Sequence, residues 1–126
     1  MVYRVAIGSR DGITITEHFG QCSRFYLADI SQEEDTVTLV GERITDSNVS
    51  WGNHQEERIR EKIKALGDCQ IVLVKQIGGQ SEKLLNHYGI ISLQYSGLIE
   101  EALNKVKKYY KNQILVKEEQ LHGQSD

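Results

Sequence analysis

The residues best suited to chemistry lie in the stretch DGITITEHFGQCSRFYLADI, Asp11 to Ile30. His18 and Cys22 share one loop-like segment there, with Gly20 between them, where the missing side chain lets backbone come close to a ligand. Imidazole suits iron and similar metals and thiolate suits iron–sulfur clusters, so the pair offers two soft or borderline donors. Two donors do not close a metal site. The plain alternatives are a loop histidine that only hydrogen-bonds and a cysteine that packs as a small apolar side chain. A second candidate is the run Gly78, Gly79, Gln80, which follows an apolar strand and opens a helix. Exposed N–H groups and the positive end of the helix dipole favour an anion at such a junction, although an ordinary tight turn reads the same way. His54 stands at the start of an expected helix, where it can swing toward a ligand or face water. Cys69 directly precedes an apolar strand and reads as structural, and His87 and His122 carry no role. Neither GxGxxG nor the Walker pattern occurs, so no nucleotide site is expected.

The elements that must hold these residues follow from apolar periodicity. Val2 to Gly8 places Val5 and Ile7 on one face and runs into the turn SRDG. RFYLADI and DTVTLVGERI predict two further strands, joined as a hairpin by the polar SQEED. The polar loop DSNVSWGNHQ leads to a helix with Ile59, Ile63 and Leu66 on one stripe, with Asn53 and Glu56 as its capping box and Gly67 as its C′ residue. QIVLV, Gln70 to Val74, is a continuous apolar run, as a strand covered on both faces requires. A short helix with Leu84, Leu85 and Tyr88 follows and is closed by Gly89; IISL makes the next strand, and Leu98 to Tyr110 the last helix. A final short strand is expected at QILV. Three strands followed by alternating strands and helices predict a mixed five-stranded sheet, parallel in one half, with helices on its faces. In such a sheet the strands ending at Gly8 and near Lys75 deliver their loops to one edge, which brings Gly78 and Gly79 close to the His18 loop.

The 126 residues are 39% apolar and 26% charged, as fits a single soluble domain able to bury its own core. That domain is placed at residues 1–117, with a polar tail at 118–126. No apolar run reaches the ~18 residues of a membrane span. MVYRVAIG shows no basic-then-apolar leader, so a cytoplasmic protein without membrane contact is expected. Cys22 and Cys69 are the only cysteines and form no CxxC, which predicts reduced thiols and excludes a zinc knuckle. The net charge of −3 gives no general attraction to nucleic acid. The late lysines fall at the end of the last helix, where they complement its dipole.

The order of these motifs resembles the dinitrogenase iron-molybdenum cofactor biosynthesis family, the group containing NifX, NafY and the C-terminal domain of NifB. The likeness covers nearly the whole chain. The family's opening strands end in a histidine-phenylalanine-glycine motif, here His18, Phe19 and Gly20. Its later half matches in Asp68 and Cys69, QIVLV, Gly78 and Gly79, Gly89 and Ile90, then Gly97 before EEAL. There are two departures: the middle loop, often rich in histidine in the family, has His54 alone, and Gln80 follows the glycine pair where a further glycine or proline is frequent. The resemblance implies a single-domain α/β chain with the ribonuclease H-like three-layer fold. It also implies a non-catalytic carrier of the iron-molybdenum cofactor or an iron–sulfur precursor cluster, passing it between assembly or nitrogenase-like proteins in nitrogen fixation. Joined to the reading of the residues, it sets His18, Phe19, Gly20, Cys22, Gly78 and Gly79 around the cofactor, with His18, Cys22 and His54 as metal donors. Two other readings stand beside it. One is an accessory or regulatory module that holds no cluster. The other is a metal-dependent nuclease, suggested by the topology; it would need clustered carboxylates, of which Asp29 and Asp68 are the only strand-edge acids.

Overall fold

A computed structural model describes residues 2–45 and 55–109. His54, the capping residue Asn53, the expected strand at 113–116 and the boundary placed at 117 all lie outside the described residues. The chain begins with β1 (Val2–Gly8), a two-residue β2 (Thr14–Ile15) and a single 3₁₀ turn at Phe19–Gln21. There follow β3 (Arg24–Ser31), β4 (Thr36–Ile44), α1 (Gln55–Ala65), β5 (Ile71–Val74), α2 (Gly79–His87), β6 (Ile91–Gln94) and β7 (Gly97–Leu98). Residues 99–109 then form a helix, α3.

The main sheet runs β4-β3-β1-β5-β6. β3 is antiparallel to both β1 and β4, whereas β1, β5 and β6 are parallel. This is the ribonuclease H-like arrangement of a mixed five-stranded sheet. The β3–β4 hairpin carries a register shift at Leu27/Ala28, and the centre of the sheet is β1, with β5 beside it and wholly buried.

Alternation on β1 and β5 builds two cores. Ala6, Val72 and Val74 face α1 and α2 and pack with Ile59, Ile63 and Leu85. Tyr3, Val5, Ile7, Ile71 and Leu73 face the other way and pack with Ile99, Leu103 and Val106 of α3. A helix layer on each face of the sheet makes three layers, and a strand covered on both sides carries no polar alternation. Gly89 has φ +80, and its neighbour's N–H closes α2 by bonding back from Ile90 to the Leu85 carbonyl at 2.9 Å. Gly67 does not have this geometry. Its φ is not positive, and α1 ends in tightened turns in which Leu66 and Gly67 bond back to Ile63 and Lys64. A feature absent from the periodicity is the small antiparallel pair of β2 with β7, which ties the loop after β1 to the start of α3. Among the described residues no helix is long and apolar enough to cross a membrane.

Candidate functional site

The loop after β1 is built by short-range bonds. Asp11 accepts the N–H groups of Thr14 and Ile13 at 2.8 and 2.9 Å, and these bonds hold its carboxyl well below the usual carboxylate range. Beyond β2 the chain returns over the end of the sheet, where the Gly8 carbonyl accepts from Thr16 and Glu17. It then lies parallel to the segment leaving β5. Lys75 donates to the Glu17 carbonyl at 2.9 Å, Phe19 donates to the Gln76 carbonyl at 2.9 Å, and His18 is bridged to Gln76. His18 thus stands two residues across from Gly78. The structure brings the His18 loop and the glycine turn together at the C-terminal ends of β1 and β5.

His18 is exposed and extended, and its imidazole has no hydrogen-bonding partner among the described residues. Gly78 caps α2 without a side-chain acceptor, and among the described residues the first-turn N–H groups are left unanswered. A Cβ added at Gly78 or Gly79 would meet nothing within 4 Å, and neither has positive φ. Neither packing nor backbone conformation therefore demands glycine here. Gly8 is the opposite case, because a Cβ there would come within 2.9 Å of Val74 Cγ1.

Two expected site residues are turned inward. Phe19 is 0% exposed and packs at 6.1 Å between ring centroids against Phe25, so its ring anchors the loop in the core and offers no surface to a ligand. Cys22 is 1% exposed, its Sγ donates to the Arg24 carbonyl at 3.0 Å, and burial pushes the thiol up to about 11. Cys22 as placed packs in the core, with its Sγ directed to the Arg24 carbonyl and not to the open edge where His18 stands. Alternation on β3 carries Phe25 and Leu27 to the α1 face, and Cys22, which closes the 3₁₀ turn before that strand, joins the same core cluster. Cys69 is equally buried, with its thiol pushed up to about 12, and His87 is exposed late in α2.

The sequence reading passed over Lys62. This α1 residue is 1% exposed, and its Nζ donates to the carbonyls of Phe19 at 2.8 Å, Cys22 at 2.7 Å and Gly20 at 3.3 Å. It also lies 5.2 Å from the Phe19 ring centroid, and burial lowers its pKa to about 8. A signal was present: Lys62 falls on the stripe of Ile59, Ile63 and Leu66.

The acids required by a nuclease are already engaged. Arg4 binds Asp29 through two bonds of 2.7 and 3.0 Å and Asp68 at 2.7 Å, and Arg43 takes the remaining oxygen of Asp68. Among the described residues no group of three or more His, Cys, Asp or Glu side chains is arranged to hold a metal ion.

The fold defines a three-layer α/β protein with an exposed imidazole where the loops leave β1 and β5. The family model described as dinitrogenase iron-molybdenum cofactor matches residues 1–109, and the chain belongs to that family. It is 30% identical over 119 residues to the FeMo cofactor biosynthesis protein NifB of Chlorobaculum tepidum, covering 94% of this chain and 27% of that protein. To protein NifX of Klebsiella pneumoniae it is 33% identical over 87 residues, covering 69% of this chain and 53% of NifX. The chain therefore spans about half of that NifX and about a quarter of that NifB. The crystal structure of PH0822 superposes with a TM-score of 0.55 at 26% identity, over 83% of this chain and 90% of that one. That of mj0327 from Methanocaldococcus jannaschii does so at 0.52 and 15% identity, over 87% and 88%, and shares the fold.

Proposed function

We propose that this protein is a non-catalytic carrier in iron-molybdenum cofactor biosynthesis, holding the cofactor or an iron–sulfur precursor cluster at the edge formed by the His18 loop and Gly78–Gly79. The observation that carries the reading is an exposed imidazole without a partner among the described residues, on a residue whose backbone is bridged to Gln76, on the approach to a glycine pair that the fold itself does not require. His18 supplies the exchangeable metal bond, while the amides opening α2 face the anionic cluster. One protein donor holds such a cluster without enclosing it, as transfer to another assembly protein or a nitrogenase-like acceptor requires. His54 is the remaining candidate for a second donor. The names of the relatives NifB and NifX support a cofactor-assembly role, and free thiols suit a reducing cytoplasm.

The test is to load the chain anaerobically with extracted iron-molybdenum cofactor and compare His18→Ala, His54→Ala and Cys22→Ala by retained iron and electron paramagnetic spectra. His18→Ala should weaken retention at least tenfold, about 1.4 kcal/mol, with thermal stability nearly unchanged. Undiminished retention by that variant removes the reading. Cys22→Ala should act on stability, through the cavity it leaves.

A further inference from the structure

We propose that Lys62 is the positioning residue of this site, its ammonium gathering the carbonyls of the turn after His18 so that the imidazole is held at the open edge. The inference rests on the carrier reading, but the geometry behind it is independent of any ligand. The turn itself is slight, a single 3₁₀ turn at Phe19–Gln21 whose internal bonds run from Gln21 to His18 and from Cys22 to Phe19. Such a turn has little conformational preference of its own. Beyond the Phe19 N–H bond to Gln76 and a contact of 3.3 Å from Thr45 Oγ1 to the Cys22 carbonyl, the turn is held from α1, more than forty residues later, by three donor contacts from one Nζ, at 2.7 to 3.3 Å, to Cys22, Phe19 and Gly20.

No carboxylate is paired with Lys62 among the described residues, so these carbonyls are what make its burial tolerable. A buried ammonium is a costly way to fill space between α1 and a loop, where methionine or leucine would pack as well. Its distinctive contribution is direction. A trans peptide places its carbonyl and its N–H on opposite sides. With the Phe19 carbonyl drawn inward to Lys62, the Gly20 N–H faces away from the ammonium, and no described residue accepts a bond from it. The Phe19 ring, buried under the same ammonium, seals the inner side. The two anchors hold the residue between β2 and the turn, His18, in its extended conformation at φ −80 and ψ 140.

The experiment compares the unsubstituted chain, Lys62→Met, His18→Ala and the double variant. Retention of extracted iron-molybdenum cofactor is measured alongside amide hydrogen exchange of the ligand-free proteins. Lys62→Met keeps the side chain's length without its donors. It should keep the folded sheet, speed exchange at Gln21 and Cys22 at least tenfold while β3 amides are unchanged, and weaken retention at least tenfold. In the His18→Ala background it should cost no further retention, because Lys62 acts through His18. A Lys62→Met variant that retains the cofactor like the parent, or a double variant that binds tenfold worse than His18→Ala alone, would overturn the proposal. Failure of the parent to retain the cofactor would sink the carrier reading instead; the exchange measurement still decides whether Lys62 holds the turn. Should Lys62→Met not fold, exchange in the unsubstituted chain serves: the Gln21 and Cys22 amides should open together with those of α1, and independent fast exchange refutes the pin.

Discussion

The two ends of β5 are treated in opposite ways. At its N-terminal end Asp68 joins Arg4, Asp29 and Arg43 in a cluster where every formal charge has an opposite partner. Those four residues come from β1, β3, β4 and the turn before β5, so the cluster fastens four segments with bonds it keeps to itself. At the C-terminal end, only four strand residues later, the imidazole of His18 and the first amides of α2 are left without partners from the described chain. Charged groups that satisfy one another hold a fold together and leave nothing for a ligand. Polar groups that the fold holds still but does not satisfy are what a ligand can use. The contrast separates the two ends more sharply than residue type does, since the saturated end is much the richer in charge.

The severest way to break the comparison is to remove the strand common to both ends. Leu73 is buried in the α3-side core. Leu73→Asp places an unpaired charge there at a cost of several kcal/mol, against a total stability of roughly 5–15. The expected outcome is loss of the folded state, seen as collapse of the circular dichroism spectrum and of cooperative melting. A variant that still melts cooperatively near the parent's temperature would show that β5 is not the shared frame.

A milder change should separate the ends. Asp68→Asn removes the charge that Arg4 and Arg43 share; the side chain is 44% exposed, so solvent screening limits the loss to about 1–2 kcal/mol. Cofactor retention should not change. The pH dependence follows from the direction of the shifts: hydrogen bonds from Arg43 hold Asp68, and those from Arg4 hold Asp29, below the ordinary carboxylate range. A carboxyl whose folded pKa is depressed stabilises the fold above its unfolded value, near 4, and loses that contribution as pH falls through the folded value. Thermal melts should therefore show the parent losing stability from about pH 4 downward. The gap between parent and Asp68→Asn should narrow over the same range. A gap that stays constant into acid would mean the cluster is held by something other than ionised Asp68.

The saturated end and the open end were not equally legible in the sequence. The mixed five-stranded sheet with its parallel half, the burial of β5 and the approach of the His18 loop to Gly78 follow from apolar runs and from the rule that parallel strands deliver their loops to one edge. Cys69 was also legible as structural, because it adjoins an apolar run. Cys22 and Phe19 were not, because a motif gives spacing but not the face toward which each side chain turns. Both lie in or just after the 3₁₀ turn, outside the paired strands, and their facing follows from the core cluster they join and the carbonyls that Lys62 holds. Pairing of β2 with β7 was hidden for a related reason: two residues make no periodicity. The ion cluster was only half legible: Asp29 and Asp68 stand out as strand-edge acids, but Arg4 and Arg43, distant from them in sequence, give no sign that they pair with them.

The finest test acts on the glycine pair and predicts opposite signs for stability and binding. Gly79 begins α2 with no positive φ, and a Cβ there would meet nothing within 4 Å. Gly79→Ala should therefore fit the folded chain without strain. Because alanine has less freedom to lose on folding, the variant should be more stable by about 0.4–1 kcal/mol, seen as a small rise in melting temperature. If the open amides of α2 face the cluster, the new methyl group stands in the ligand's approach, and retention of extracted cofactor should fall a few-fold. Replacement by valine should lower it further without matching the loss caused by His18→Ala. A surface glycine kept only for a tight turn would lose stability on substitution, and a helix start irrelevant to the ligand would leave retention untouched. Gain of stability together with loss of retention is the combination that assigns Gly79 to the site, and retention equal to the parent's would confine the site to the His18 loop.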